Sequence, residues 1–177
     1  AATDGEIGFI APARLPIRGP GASADGLTPA DGKSVENLWT GFVPFAELPQ
    51  TLDPPSGKLW TANNKIVPDT YPYLVAGEWP APHRAHRIGE LLAGAGPFGS
   101  EDFIRMQMDT KEPAAALLLP RLLAAPPTGA HEAEAVKLLA AWNHQMHADR
   151  PEPLIYVAWL SRLNALLLAD DLGAMAH

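Results

Sequence analysis

Pro54-Pro55-Ser56-Gly57-Lys58-Leu59-Trp60-Thr61-Ala62-Asn63-Asn64 is the stretch on which the reading of this chain turns, together with its continuation to Arg87. Pro54, Pro55, Ser56 and Gly57 are turn formers. Leu59, Trp60 and Thr61 suit a pleated, half-buried surface, so a strand is expected over residues 58–62. That strand would run into two consecutive asparagines. Two readings fit them. Asn63 and Asn64 form a turn pair at a strand end, or one of them holds its amide N–H₂ toward a cleft as an oxyanion donor for a tetrahedral intermediate.

The 177 residues allow one domain with two subregions. The net charge of −7 and pI near 5.3 argue against nucleic acid as a partner. There is no cysteine, which excludes disulfides, thiolate metal sites and a cysteine nucleophile. No apolar run is long enough to span a bilayer, and no membrane partner is expected. Fifteen glycines and nineteen prolines crowd toward the first half. From about Pro82 the pattern becomes helical. The expected fold class is α+β, with residues 1–80 as a β-rich portion and 81–177 as a helical portion of one incomplete domain.

Residues 6–12 read as a strand entered from a turn at Thr3-Asp4-Gly5, so the sequence starts in the middle of an element. Residues 14–17 are extended around Pro16, 19–32 form a loop, and Glu47-Leu48-Pro49 makes a short helical turn. Five helices are expected. The first opens near Pro82, covers 83–92 and stops at Gly94. The second is capped by Ser100 and runs to about 109, without an acid at the position that would complete a capping box. The third, over about 112–124, must end or kink at Pro120. The fourth covers about 131–147, with Val136, Leu139, Trp142 and Met146 as one buried stripe. The fifth, about 153–170, is apolar nearly all round and is expected to sit deep.

Other constellations are weaker. Residues 94–99 spell GxGxxG, but a helix precedes the motif and Pro97 interrupts it, against the strand-turn-helix setting of a dinucleotide site. His144 and His147 share the expected fourth helix, with His131 and Glu134 upstream. Metal binding needs a third convergent ligand, and exposed histidines at a helix end are the better reading. His83, Arg84, His86 and Arg87 are either a solvated helix face or a site for anchoring carbonyls and carboxylates. The five serines occur in no GxSxG motif, and nothing in the chain announces a nucleophile.

Blocks of sequence add a resemblance. In order they are Ile7-Gly8-Phe9-Ile10-Ala11-Pro12, Arg14-Leu15-Pro16-Ile17-Arg18, residues 39–49 (WTGFVPFAELP), Asp53-Pro54-Pro55-Ser56-Gly57, Thr61-Ala62-Asn63-Asn64, Tyr71-Pro72-Tyr73-Leu74, and Trp79 with Arg84-Ala85-His86-Arg87-Ile88. The series resembles the penicillin amidase (penicillin acylase) family of N-terminal-nucleophile hydrolases. The match covers residues 4–92, with a looser fit over the helical remainder. It implies an αββα sandwich of which this chain is an internal piece of the β chain. It also implies cleavage of acyl amides through an acyl-enzyme on an N-terminal serine upstream of Ala1. The partners it implies are an acyl-amide small-molecule substrate and the remaining α- and β-chain segments of one precursor. The location it implies is periplasmic or secreted.

By the same resemblance Asn63 supplies the oxyanion amide and Arg84 belongs to the network around the serine. Calcium occurs in several relatives, but no ligand for it can be placed here, and no other cofactor is identified. The acid of the loop after the asparagines has only Glu78 as a weak counterpart. Penicillin itself is not fixed as the substrate. The chain alone is expected to be inactive and to self-associate through cut strand edges. The competing class is a non-catalytic homologue acting as a binding or structural domain. A Ser, Thr or Cys at an upstream processing junction would discriminate the two.

Overall fold

The computed structural model describes residues 2–21, 26–94 and 96–173. Part of the expected 19–32 loop, including Ser23, and Ala95 of the GxGxxG stretch lie outside the described residues. Contacts divide the chain into two compact units, 1–94 and 95–177.

Regular structure in the first unit is sparse because proline and glycine interrupt every run. Strand β1, Gly8–Ile10, pairs antiparallel with β4, Gln50–Leu52, placing Phe9 opposite Thr51. The turn before β1 forms as expected: Gly5 sits at φ +96, and the Ala2 N–H reaches the Glu6 carbonyl at 2.7 Å. The partner strand β4 has no counterpart among the expected elements. Its three residues are too few to show alternation, and only pairing with β1 reveals them.

Strand β2, Pro16–Arg18, pairs antiparallel with β3, Trp39–Phe42, with an irregularity between Ile17 and Arg18. Leu15, Val43 and Leu48 are buried beneath these ribbons, with Ile10, Ile17, Tyr73 and Val75 packed around them. A single 3₁₀ turn at Phe45–Glu47 stops before Pro49. Helix α1, His83–Leu92, closes the unit with the bounds expected of it.

The second unit is helical. Helix α2 is Ser100–Gln107. Its N-cap is Gly99, not Ser100, so Asp102 falls at the third helical position. The Asp102 carboxylate accepts the Gly99 N–H at 2.7 Å, and the acid that capping by Ser100 would lack is therefore present one register earlier. Helix α3 is Pro113–Leu122, capped by the Glu112 carboxylate on the Ala114 N–H at 3.0 Å. It ends two residues beyond Pro120, which brings no N–H for the preceding turn.

Helix α4, Ala130–Ala140, ends seven residues before the expected limit. The chain turns away at 141–147 because it pairs with residues 110–112. The Glu112 N–H donates to the His144 carbonyl at 2.8 Å and the Met146 N–H to the Thr110 carbonyl at 3.0 Å. Trp142 and Met146 thus reach the core from a loop, beside Ala115, Leu119, Leu139 and Tyr156. Helix α5, Pro151–Leu172, runs the expected course, but it does not lie deep. Its burial is confined to Glu152, Pro153 and Tyr156 near its start. Leu166 and Leu167 are about three-fifths exposed. A helix apolar on every face needs partners on every face, and within this unit α4 packs against it.

Candidate active site

The turn at 54–57 forms as its residues dictate. The Gly57 N–H bonds the Pro54 carbonyl at 2.8 Å, with Gly57 at φ +62. The strand expected over 58–62 does not follow. Residues 58–61 carry no ladder, and side chains fasten them to α1 instead. Lys58 Nζ donates to the carbonyls of Leu92 and Gly94 at the C-terminal end of that helix, where the helix dipole favours a cation. Trp60 Nε1 donates to the Ala85 carbonyl at 2.9 Å. The Trp60 ring lies so near Gly89 that a Cβ there would stand 3.0 Å from Cζ2.

The two asparagines then part. Asn63 takes the left-handed conformation at φ +63, which asparagine tolerates better than most side-chain-bearing residues. Asn64 is consumed locally: its Oδ1 accepts the Ala62 N–H and its Nδ2 donates to the Lys65 carbonyl, both at 3.0 Å.

Arg84, in the first turn of α1, donates from Nη2 to Asn63 Oδ1 at 2.9 Å. A guanidinium only donates, so the amide atom facing it must be the oxygen. Asn63 Nδ2 has no hydrogen-bond partner among the described residues, and the residue is exposed. The two positions singled out in the sequence are therefore in direct contact, which sequence spacing did not reveal. Of the rest of the basic cluster, Arg87 pairs with Glu90 at 2.8 Å along the helix surface. His86 faces a cleft of about 1080 Å³ lined also by Phe9, Trp60, Asn64, Trp79 and Glu90. Lys65 at this cleft is paired with Asp69, whose carboxyl is held below its ordinary value by that hydrogen bond and the lysine charge. Glu78 is exposed.

The weaker constellations do not assemble. His144 and His147 lie on no helix; the His144 ring, at φ +65, packs edge-on against Trp142. Among the described residues no three His, Asp or Glu side chains converge to hold calcium or another metal ion. Stretch 94–99 follows α1 and leads into α2, without the strand a dinucleotide fingerprint requires. No described helix is long and apolar enough to cross a membrane.

The sequence profile described as penicillin amidase matches residues 1–177. The chain belongs to the penicillin amidase family. Penicillin acylase 2 proenzyme of Pseudomonas sp. (strain SE83) is 34% identical over 166 residues, covering 93% of this chain and 21% of that relative. Acyl-homoserine lactone acylase QuiP of Pseudomonas fluorescens (strain Pf0-1) is 30% identical over 181 residues, covering 94% and 22%. The chain therefore spans about a fifth of the length of these penicillin amidase relatives. Among solved structures, the thermostable penicillin G acylase from Alcaligenes faecalis matches with a TM-score of 0.74 at 21% identity, over 99% of this chain and 33% of that one. The α+β fold seen here is thus the fold of a penicillin acylase segment.

Proposed function

We propose that this chain is a segment of a larger acylase that hydrolyses acyl amides, and that Asn63 and Arg84 belong to its catalytic site. The observation that carries the reading is the Asn63 amide, tied through Oδ1 to Arg84 and open at Nδ2. Attack on an amide carbonyl places negative charge on its oxygen. Donors already in place stabilise that charge without reorganisation. A neutral amide donates without competing as an acid. Hydrogen bonding of its oxygen to a cation also polarises its N–H groups, making them better donors.

In this reading the nucleophile is an N-terminal serine outside the segment, its own α-amine acting as base, and the reaction passes through an acyl-enzyme. Ser56 does not take that part, because its hydroxyl is occupied by the Lys58 backbone in the turn. The partners are the remaining segments of the same precursor, and the setting is periplasmic or secreted. The test is a panel of phenylacetyl, fatty-acyl and acyl-homoserine lactone amides offered to the full-length protein and to the 177-residue chain. Turnover by the first and none by the second is expected. Turnover by the isolated chain, or none by a folded, processed full-length protein, overturns the reading.

A further inference from the structure

We propose that Trp60 is a positioning residue: it sets the register between the segment carrying Asn63 and the helix carrying Arg84. Segment 58–63 runs antiparallel to α1 and meets it at three levels. Lys58 reaches the carbonyls of Leu92 and Gly94, Trp60 reaches Ala85 and Gly89, and Asn63 reaches Arg84. Residues 85, 89 and 92 share one helix face. Among the described residues no backbone ladder holds the segment, and these side chains join it to the helix.

Of the three contacts, that of Trp60 is the one in the middle, and it is doubly specified. Its indole N–H fixes the ring to the Ala85 carbonyl at 2.9 Å. Its Cζ2 edge fills the space left by the missing side chain of Gly89, with 3.0 Å to a Cβ built there. Ala85, the residue adjoining Arg84, is 4% exposed. A ring that shifts along the helix therefore moves Asn63, three residues on, relative to Arg84.

The kinetic arm of the test rests on the acylase reading; the exchange arm does not. In the full-length protein, Trp60→Phe removes the N–H and shortens the ring, and Gly89→Ala pushes the intact ring away. Either single variant should lower kcat by roughly 10- to 100-fold with KM within about twofold, as expected when a reacting group is misplaced rather than removed. In the Trp60→Phe background, Gly89→Ala should cost little more. Exchange of the Ala62 amide, which is bonded to Asn64 Oδ1 at 3.0 Å beside Asn63, should quicken in both single variants. Unchanged exchange in both overturns the proposal, as do unchanged kcat in an active enzyme or losses that simply multiply in the double variant. A wild-type protein with no acylase activity overturns the functional reading alone, and the exchange result then still decides for or against the clamp.

Discussion

Asn63 and Asn64 are chain neighbours whose amides do opposite work. Asn64 uses both of its functions on the backbone of Ala62 and Lys65, whereas Asn63 is held by its oxygen alone, at Arg84. Substitution should separate them. In the full-length protein Asn63→Ala should lower kcat by about 10² to 10³ with little change in KM. Asn64→Ala should cost about 1 kcal/mol of stability and leave kcat nearly intact. Steady-state kinetics beside urea unfolding check both. The reverse pattern would mean that Asn64 is the donor, and intact kcat in both would remove the oxyanion assignment.

Arg84 bonds through one terminal nitrogen of its guanidinium. Lysine keeps the charge but loses the planar fork and its reach. Arg84→Lys should therefore lower kcat by well over twofold in the full-length protein, since misplacing the amide it orients costs far more than weakening a surface charge. A kcat within about twofold of wild type would assign Arg84 to the solvated face of α1.

In the second unit, Glu152 is a carboxylate with 3% side-chain exposure, joined by Arg150 through contacts of 2.6 and 3.2 Å. The hydrogen bond from Arg150 holds its carboxyl below the ordinary value of 4.5. A carboxyl depressed in the folded state contributes stability that is present above its unfolded pKa and lost as pH falls through the folded one. Wild-type resistance to urea should therefore decline below about pH 4.5. Glu152→Gln should be the weaker at pH 7, and the difference should shrink in acid. A difference that stays constant from pH 7 to pH 3 would show that the charge contributes nothing.

Tyr156 is 2% exposed, and its hydroxyl has no hydrogen-bond partner among the described residues. Burial, and then the nearby Glu112 charge, push the phenol pKa up. Removing an unsatisfied buried hydroxyl relieves a desolvation cost, while the ring keeps its packing against Trp142 at 5.4 Å. Tyr156→Phe should leave the protein as stable or about 1 kcal/mol more so. A clear loss in a thermal melt would reveal a partner that the hydroxyl needs.

The isolated 177-residue chain should associate in solution. Leu166, Leu167 and Leu168 on α5 are exposed, and apolar patches and short open ribbons invite pairing. Light scattering should report a mass above 18.9 kDa that falls when Leu167 is changed to Lys. A monomer at high concentration would count against it.

Residue type and spacing alone determined a good deal here. The bounds of α1 were legible because Pro82 opens it and Gly94 follows it, both local signals. The turn at 54–57 and the order of five helices were legible for the same reason, whereas the family blocks from 7 to 88 were legible only as a resemblance. Asn63 and Arg84 could be singled out by resemblance. Only tertiary structure decided that they touch, that Lys58 and Trp60 lie against α1 instead of forming a strand, and that β1 finds a partner in Gln50–Leu52. It also decided that α4 stops at Ala140 and that most of α5 stays exposed. The reason is physical. A cap or a proline acts within one turn of chain and is visible in a short window. A hydrogen bond between residues twenty-one positions apart, or the surface that an apolar helix face meets, depends on how distant elements pack, and no local pattern encodes that.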